Sequence, residues 1–150
     1  MWRPMQYQDL TEVFQIADAI WGPDYHESQA VYEDKFLYHP PGCQVYQVKH
    51  LILGYVVAHP WRYGMPPLLD TVLDRTVITD SYHIHDIVLD TSLRGQGLFK
   101  LIVNQILANN QIVTLAAANR STQTKNIWQH FGFVETGIKC DYGVYMSTLL

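Results

Sequence analysis

The chain has 150 residues, of which 48% are hydrophobic, and this suits one compact domain over residues 1–150 with a sizeable core and no room for a second. Its formal net charge is −4 and its ten Lys and Arg residues are scattered, which excludes the basic stripe of a nucleic-acid-binding protein. No apolar run approaches the ~20 residues that span a bilayer, and the two cysteines lack metal-ligand spacing, so we expect a cytoplasmic protein with no membrane segment and no metal site.

The first part of the chain predicts two helices followed by a β-hairpin. Apolar residues at helical spacing precede Gly22-Pro23, which ends the first helix, and Asp9 or Thr11 can cap that helix. The segment from His39 to Gly42 breaks a second helical pattern, and two runs rich in β-branched and aromatic residues follow it. The predicted elements are helices over 12–21 and 28–38 and strands over 43–48 and 51–58.

A long irregular insertion comes next, from Pro60 to Asp80. It contains Pro66-Pro67, and a helical turn fits Leu68 to Leu73. Because a connection of this length in a compact domain is often functional, we expect the insertion to form part of a binding site.

The second part of the chain predicts strands separated by helices, which indicates a mixed sheet with helices on both faces. The run from Ile112 to Ala117 is apolar throughout, as is typical of a buried central strand. The predicted elements are strands over 82–89, 112–117, 133–139 and 142–148 and helices over 99–109 and around 124–130.

A glycine-rich turn joins the strand over 82–89 to the helix over 99–109. The first N–H groups of a helix have no intrahelical partner and the helix dipole is positive there, so this junction can bind a phosphate through the backbone. Gly95 and Gly97 lack the Cβ that would block the approach of such an anion. The spacing is neither that of a P-loop nor that of a dinucleotide-binding fold. A turn that binds nothing is the alternative.

The segment from Arg94 to Gly97 resembles the acyl-CoA pyrophosphate loop of the GCN5-related N-acetyltransferase (GNAT) family, whose pattern is Arg/Gln-x-x-Gly-x-Gly/Ala. Phe99 stands where the family usually has Gly or Ala. Trp2 to Met5 resembles the first strand of the family, and Ile127 to Phe133 resembles its helix that ends at a Gly-Phe pair. The resemblance covers nearly the whole chain and implies an α/β (α+β) fold with a mixed, largely antiparallel central sheet flanked by helices on both faces.

The resemblance also implies acetyl-CoA as co-substrate. Backbone N–H groups of the strand before the loop would bind pantetheine and polarise the thioester carbonyl, and the loop would hold the pyrophosphate. Two polar residues after the strand over 112–117 would contact the pantetheine and adenine end, with ordinary helix capping as their alternative. The cofactor-binding candidates are Ile87, Val88, Leu89, Arg94, Gly95, Gln96, Gly97, Leu98, Asn119 and Ser121.

The strand over 82–89 carries the candidate general base. In related acetyltransferases a carboxylate on this strand is the base, and His85 matches that position by its distance from Arg94. An imidazole titrates near pH 6.5, so it can accept a proton from an ammonium at neutral pH. Alternation places His83 and His85 on one face and Asp86 on the other, unless a bulge re-aims Asp86. A hydrogen-bonded strand histidine without a catalytic role is the alternative for His85.

The proton donor for the CoA thiolate is the main departure from the family. Many members carry a Tyr where Trp128 stands in this chain, and an indole N–H cannot usefully give up its proton. Tyr142, Tyr145 or solvent is left for this role, and Tyr142 is our catalytic candidate.

Aromatic and polar residues at the start of the insertion are candidates for binding the acceptor. His59, Trp61 and Tyr63 suit an amine pocket, because a cationic group can lie over the face of an aromatic ring. The alternative is a Pro-Trp turn packed against the core.

These features predict an acetyl-CoA-dependent N-acetyltransferase that acts on a primary amine of a small molecule. Direct transfer in a ternary complex is expected, because no well-placed Cys nucleophile is visible. A protein amine is an alternative acceptor. A non-catalytic acyl-CoA-binding or regulatory module of the same fold, and a plain interaction protein without a CoA site, are the rival interpretations. The sequence leaves both a monomer and a homodimer open.

Overall fold

The computed structural model describes residues 1–118 and 122–149, and the elements named below are those of the described residues. The α-helices are α1 (Leu10–Trp21), α2 (Gln29–Tyr38), α3 (Leu98–Asn109) and α4 (Thr122–His130). The strands are β1 (Trp2–Pro4), β2 (Cys43–Val48), β3 (Leu51–Trp61), β4 (Ser81–Leu89), β5 (Val113–Ala118), β6 (Val134–Glu135) and β7 (Gly143–Ser147).

The strands form one sheet in the order β1-β2-β3-β4-β5-β7-β6. Among the described strands β4 and β5 are the parallel pair, and the other neighbours are antiparallel. α1 and α2 cover one face over a core around Val13, Tyr32 and Tyr55, whereas α3 and α4 cover the other over a core around Ile102 and Trp128. The predicted mixed, largely antiparallel sheet with helices on both faces is confirmed.

Two strands, β3 and β6, differ in length from their predicted bounds by more than two residues. β3 continues through Pro60 to Trp61, so the irregular insertion begins at residue 62 and not at Pro60 as predicted. β6 is much shorter than the predicted strand over 133–139, because Gly137 has φ 75° and turns the chain away from β7. Within the described residues, no helix combines the length and the apolar character needed to cross a bilayer.

Residues 62–80, which we call the strap, form hydrogen bonds with the connection between α1 and α2. Asp70 has φ 54°, a left-handed conformation that a continuing helix cannot contain. Its N–H donates to Glu27 Oε2 at 3.0 Å, and its Oδ1 accepts from the N–H of Ser28 at 2.8 Å. The predicted helical turn over 68–73 is therefore wrong, because backbone groups of the strap bond to neighbouring elements.

A β-bulge interrupts β4 beside β3. Val57 and Ala58 are consecutive on β3, but their partners are Asp86 and Ile84, so His85 is the extra residue. A bulge shifts the alternation of the side chains that follow it, and His85 and Asp86 consequently both lie on the face covered by α1 and α2. Of the two alternatives for Asp86, a regular strand or a bulge that re-aims its side chain, the structure has the bulge.

Candidate active site

β4 and β5 pair at three positions and then diverge, which opens a cleft in the middle of the sheet. The pairing ends at Ile84 and Leu115, although both strands continue beyond these residues. The cleft has a volume of about 190 Å³, and Trp21 of α1 and Trp128 of α4 contribute to its walls. The edge of β4 from His85 onward is therefore open to a bound group that can pair with a strand.

A larger cavity of about 660 Å³, which we call the loop cavity, lies at the start of α3. Arg94, Gly95 and Gly97 line it, and Phe99 and Ile127 line both this cavity and the cleft. The two spaces therefore adjoin each other along one side of the sheet.

Left-handed backbone conformations shape the loop itself. Gly95 has φ 78° and Gly97 has φ 73°, and an added Cβ at either position would meet nothing within 4 Å. Glycine is thus needed for the conformation of the loop rather than for space. α3 begins at Leu98 without an acidic residue in its first turn, so its free N–H groups remain suited to an anion. The predicted strand, glycine turn and helix are present, and anion binding there stays a prediction.

A third space, which we call the inner cavity, lies on the face covered by α1 and α2 and has a volume of about 40 Å³. Its lining consists of aromatic, acidic and small apolar side chains: Trp21, Tyr25, Glu27, Tyr32, Leu69, His85, Asp86, Ala116, Ala118 and Tyr142. Trp21, His85 and Asp86 also line the cleft. These three residues therefore stand where the two spaces meet.

Asp86 is a buried carboxylate with one oxygen fully bonded and the other free. Oδ2 accepts hydrogen bonds from Trp21 Nε1 at 3.0 Å, from the hydroxyl of Tyr32 at 3.1 Å and from the hydroxyl of Tyr55. Oδ1 is buried and has no hydrogen-bond partner among residues 1–118 and 122–149. The three donors hold the carboxylate in place, and Oδ1 is left for a ligand.

Burial raises the pKa of Asp86, because the low-dielectric surroundings disfavour its charged form. The positive charge on a protonated His85 and the hydrogen bonds from Tyr55 and Trp21 act in the opposite direction without reversing the shift. A carboxylate of raised pKa in a cavity is a stronger proton acceptor than an exposed one, so Asp86 is suited to acid–base chemistry.

His85 forms a buried pair with Glu27 from the connection between α1 and α2. Nε2 of His85 lies 2.6 Å from Oε1 of Glu27, and both side chains are 5% exposed. Because a carboxylate oxygen only accepts, Nε2 carries the proton and Nδ1 is the basic nitrogen when the ring is neutral. Glu27 thereby fixes the orientation and the tautomer of His85.

Glu27 remains ionised in spite of its burial. Burial by itself would raise the pKa of Glu27, but the charge and hydrogen bond of His85, the charge of Lys35 and the N–H of Asp70 lower it from the ordinary 4.5 to about 2. The Glu27 carboxylate consequently stays negative throughout the neutral range.

This low pKa predicts an acid-sensitive contribution of Glu27 to stability. The contribution is complete above about pH 4.5 and is lost as the pH falls towards 2, because the unfolded chain then binds a proton that the folded state resists. Replacing Glu27 with Gln should lower the free energy of unfolding at pH 7 and flatten its decrease between pH 4.5 and 2. Denaturant unfolding at a series of pH values measures both effects. The exposed Asp24→Asn is the control, and equal pH profiles for Glu27→Gln and wild type would contradict the prediction.

Comparison with models of known protein families and with curated sequences found no match. Solved structures do match over almost the entire chain. Ard1 from Thermoplasma volcanium is 18% identical, with a TM-score of 0.72 over 98% of this chain and 95% of that one. The GNAT-like decarboxylase GphF in complex with isobutyryl-CoA is 14% identical, with a TM-score of 0.73 over 98% and 97%. The chain has the GNAT fold. A NatC complex bound to Gag peptide and CoA, 13% identical, also matches, with a TM-score of 0.70 over 100% and 98%.

The two departures from the GNAT sequence pattern contact each other. The rings of Phe99 and Trp128 lie 5.5 Å apart between centroids, and Phe131 and Phe133 extend the cluster. Phe99 and Trp128 both line the cleft. The large residue at the start of α3 therefore packs against an aromatic residue of α4.

Several predicted site residues of this GNAT-fold chain lie beside the cleft or outside the described residues. Tyr142 lines the inner cavity, its hydroxyl donates to the carbonyl of Pro67 at 2.8 Å, and burial raises its pKa. Tyr145 lies deeper, with its hydroxyl accepting from the N–H of Gly64 at 3.1 Å. Asn119 and Ser121 fall outside the described residues. Their predicted contacts, and the role of Tyr142, stay predictions.

The predicted acceptor-binding residues do not line the cleft, the loop cavity or the inner cavity. His59 is completely buried, donates from Nδ1 to the carbonyl of Pro60 at 2.9 Å, and has its pKa lowered to about 3 by burial. Trp61 is 5% exposed and donates to the carbonyl of Met65 at 2.8 Å. The Tyr63 ring lies 6.2 Å from that of Tyr145. These positions favour a structural role for His59 and Trp61.

Trp61→Ala tests this assignment. Because the ring is buried, we expect a loss of about 3–5 kcal/mol in the free energy of unfolding, typical of an emptied aromatic site. The KM for an amine acceptor should not change in the protein that remains folded. Trp61→Phe, which keeps most of the packing, is the control. A raised amine KM with unaltered stability would instead support the acceptor-binding prediction.

Sequence reasoning missed most of the residues that surround His85. Glu27, Trp21, Tyr32 and Tyr55 come from three separate elements and the connection between α1 and α2, and regular alternation would place Asp86 on the other face. The adjacent pair His85-Asp86 is the one local signal, since two titratable residues on a buried strand require an explanation. Its partners lie too far away in sequence to be recognised from their spacing.

Proposed function

We propose that this chain is an acetyl-CoA-dependent N-acetyltransferase that transfers the acetyl group directly to a primary amine of a small molecule. The observation that carries the proposal is the free Oδ1 of Asp86 where the cleft and the inner cavity meet. One space then holds the thioester and the other holds the amine, with a proton acceptor between them.

The cleft and the loop cavity are the proposed site of acetyl-CoA. The N–H groups of Gly95 to Leu98 and the side chain of Arg94 would bind the pyrophosphate. Pantetheine amides would pair with the open edge of β4 at Ile87 to Leu89, as an added strand pairs with a sheet edge. Two of the compared structures contain CoA or isobutyryl-CoA, which supports the same class of co-substrate for this fold.

Two side chains, Asp86 and His85, accept protons from the amine in the proposed mechanism. The substrate ammonium donates one proton to Oδ1 of Asp86, and the nitrogen lone pair then forms a bond to the thioester carbonyl carbon. The resulting nitrogen still carries a surplus proton, which Nδ1 of His85 accepts. The carbon–sulfur bond breaks, CoA leaves as a thiolate, and the acetamide is released. Asp86 and His85 pass the two protons lost by nitrogen to solvent, and the CoA thiolate takes one proton from a separate donor, so that one proton is released in the net reaction.

Tyr142 is the proposed donor to the thiolate. Tyr142 lines the inner cavity, and its hydroxyl donates a hydrogen bond to the carbonyl of Pro67. In this role the hydroxyl releases the carbonyl of Pro67 and donates its proton to the CoA sulfur after the carbon–sulfur bond has broken. Solvent then reprotonates the Tyr142 oxygen.

A steady-state assay of CoA release with acetyl-CoA and a panel of primary amines tests the proposal. Amine-dependent release of CoA, with the N-acetyl product identified by mass spectrometry, is the expected result. CoA binding without transfer to any amine would favour the non-catalytic module. Failure of CoA to raise the melting temperature would favour an interaction protein without a CoA site. Transfer to peptide amines alone would make it a protein N-acetyltransferase.

A further inference from the structure

We infer that the acceptor is a primary alkyl or arylalkyl ammonium whose carbon next to nitrogen is unbranched and bears no carbonyl or carboxylate. This inference rests on the proposed function and concerns the inner cavity, which is the space left for the amine. It separates simple amines from amino acids and peptide N-termini, which carry a carbonyl two atoms from the nitrogen.

Four side-chain hydrogen-bond donors of the inner cavity are already engaged in the structure. Trp21 Nε1 and the Tyr32 hydroxyl donate to Asp86, the Tyr142 hydroxyl donates to Pro67, and His85 Nε2 donates to Glu27. A carbonyl or carboxylate entering beside them would be buried without one of these donors, which leaves its desolvation uncompensated. The buried unpaired atom on this wall is an acceptor, Asp86 Oδ1. An ammonium group supplies the donor that this oxygen lacks.

The charge of the residues that line the inner cavity also favours an ammonium group over a carboxylate. Among the described residues that line the inner cavity there are two acids, Glu27 and Asp86, and no Lys or Arg. The rings of Trp21, Tyr25 and Tyr32 add aromatic faces, which attract cations. A carboxylate on the substrate would therefore meet like charge, whereas a cation would not.

The size of the inner cavity limits branching. At about 40 Å³ it is the smallest of the three spaces, against about 190 Å³ for the cleft and about 660 Å³ for the loop cavity. The nitrogen and the carbon next to it are the part of the acceptor that we place in this space. A methyl group or side chain on that first carbon competes for this small space, and the rest of an accepted molecule extends outside it.

Two pairs of isomers test the inference on the unaltered protein. 2-Phenylethylamine is compared with 1-phenylethylamine, and butylamine with sec-butylamine, so that branching changes while composition does not. Glycinamide is unbranched and tests the carbonyl alone, and phenylalaninamide combines both features. The quantity compared is the pH-independent limit of kcat/KM, because these amines differ in pKa.

We expect kcat/KM for the unbranched amines to exceed that of their branched isomers and of glycinamide by at least about tenfold, the effect of one unpaired buried polar group or a comparable clash. Equal or better turnover of glycinamide, phenylalaninamide or a branched isomer would overturn the inference while leaving the proposed acetyl transfer intact. Transfer to none of the amines, although CoA binds, would overturn the proposed function and the inference with it.

Discussion

Asp86→Asn should lower kcat by about 10²–10⁴-fold, the usual weight of a positioned acid–base group, while the Kd for acetyl-CoA stays nearly constant. Asn has the same shape, and its carbonyl oxygen can still accept from Trp21, Tyr32 and Tyr55, so the packing is retained. Its amide nitrogen replaces the free Oδ1 and cannot take a proton. Steady-state kinetics and calorimetry measure the two quantities.

The pH profile distinguishes a lost base from a damaged fold. In the wild type, kcat falls as the pH drops through the pKa of the essential base, and burial places the pKa of Asp86 above its ordinary range. Asp86→Asn should lose the contribution of Asp86 to that acidic limb and keep the contribution of the second proton acceptor, whereas Tyr55→Phe, which removes one donor to Oδ2, should keep both at a reduced rate. His85→Ala is expected to cost about 10²-fold or more. An unchanged kcat of Asp86→Asn between about pH 6 and 9 would remove Asp86 from the mechanism.

Gly97→Glu should weaken CoA binding by at least about 100-fold. The added carboxylate lies in the loop cavity, where the pyrophosphate is proposed to approach the first N–H groups of α3, and like charges repel there. The positive φ of 73° adds strain that any side chain would cause. Titration calorimetry with CoA measures the loss.

Gly137→Glu is the matched control for strain. Gly137 has φ 75°, a Cβ added there would meet nothing within 4 Å, and the residue lies between β6 and β7, away from the loop cavity. Both variants should lose similar stability, and only Gly97→Glu should lose CoA. Gly97→Ala separates strain from charge at the same position. Unchanged CoA affinity in folded Gly97→Glu would contradict the proposed pyrophosphate site.

Much of the fold follows from local sequence signals. Gly22-Pro23 ends α1, β-branched runs form β2 and β3, and glycines at 95 and 97 supply the left-handed turn before α3. These features act within a few residues of one another, through backbone conformation and the period of apolar side chains. The order of elements and the position of the glycine loop could therefore be predicted from the sequence.

The sequence by itself determined the strand, glycine loop and α3, and it placed a His-Asp pair just before them. Only the tertiary structure decided which way that pair faces. The bulge at His85 arises from the register of β4 against β3, and the partners of the pair come from far along the chain: Glu27 lies 58 residues from His85, and Trp21 lies 65 residues from Asp86. Contacts between such distant residues leave no periodic or local pattern, because they depend on how separate elements pack.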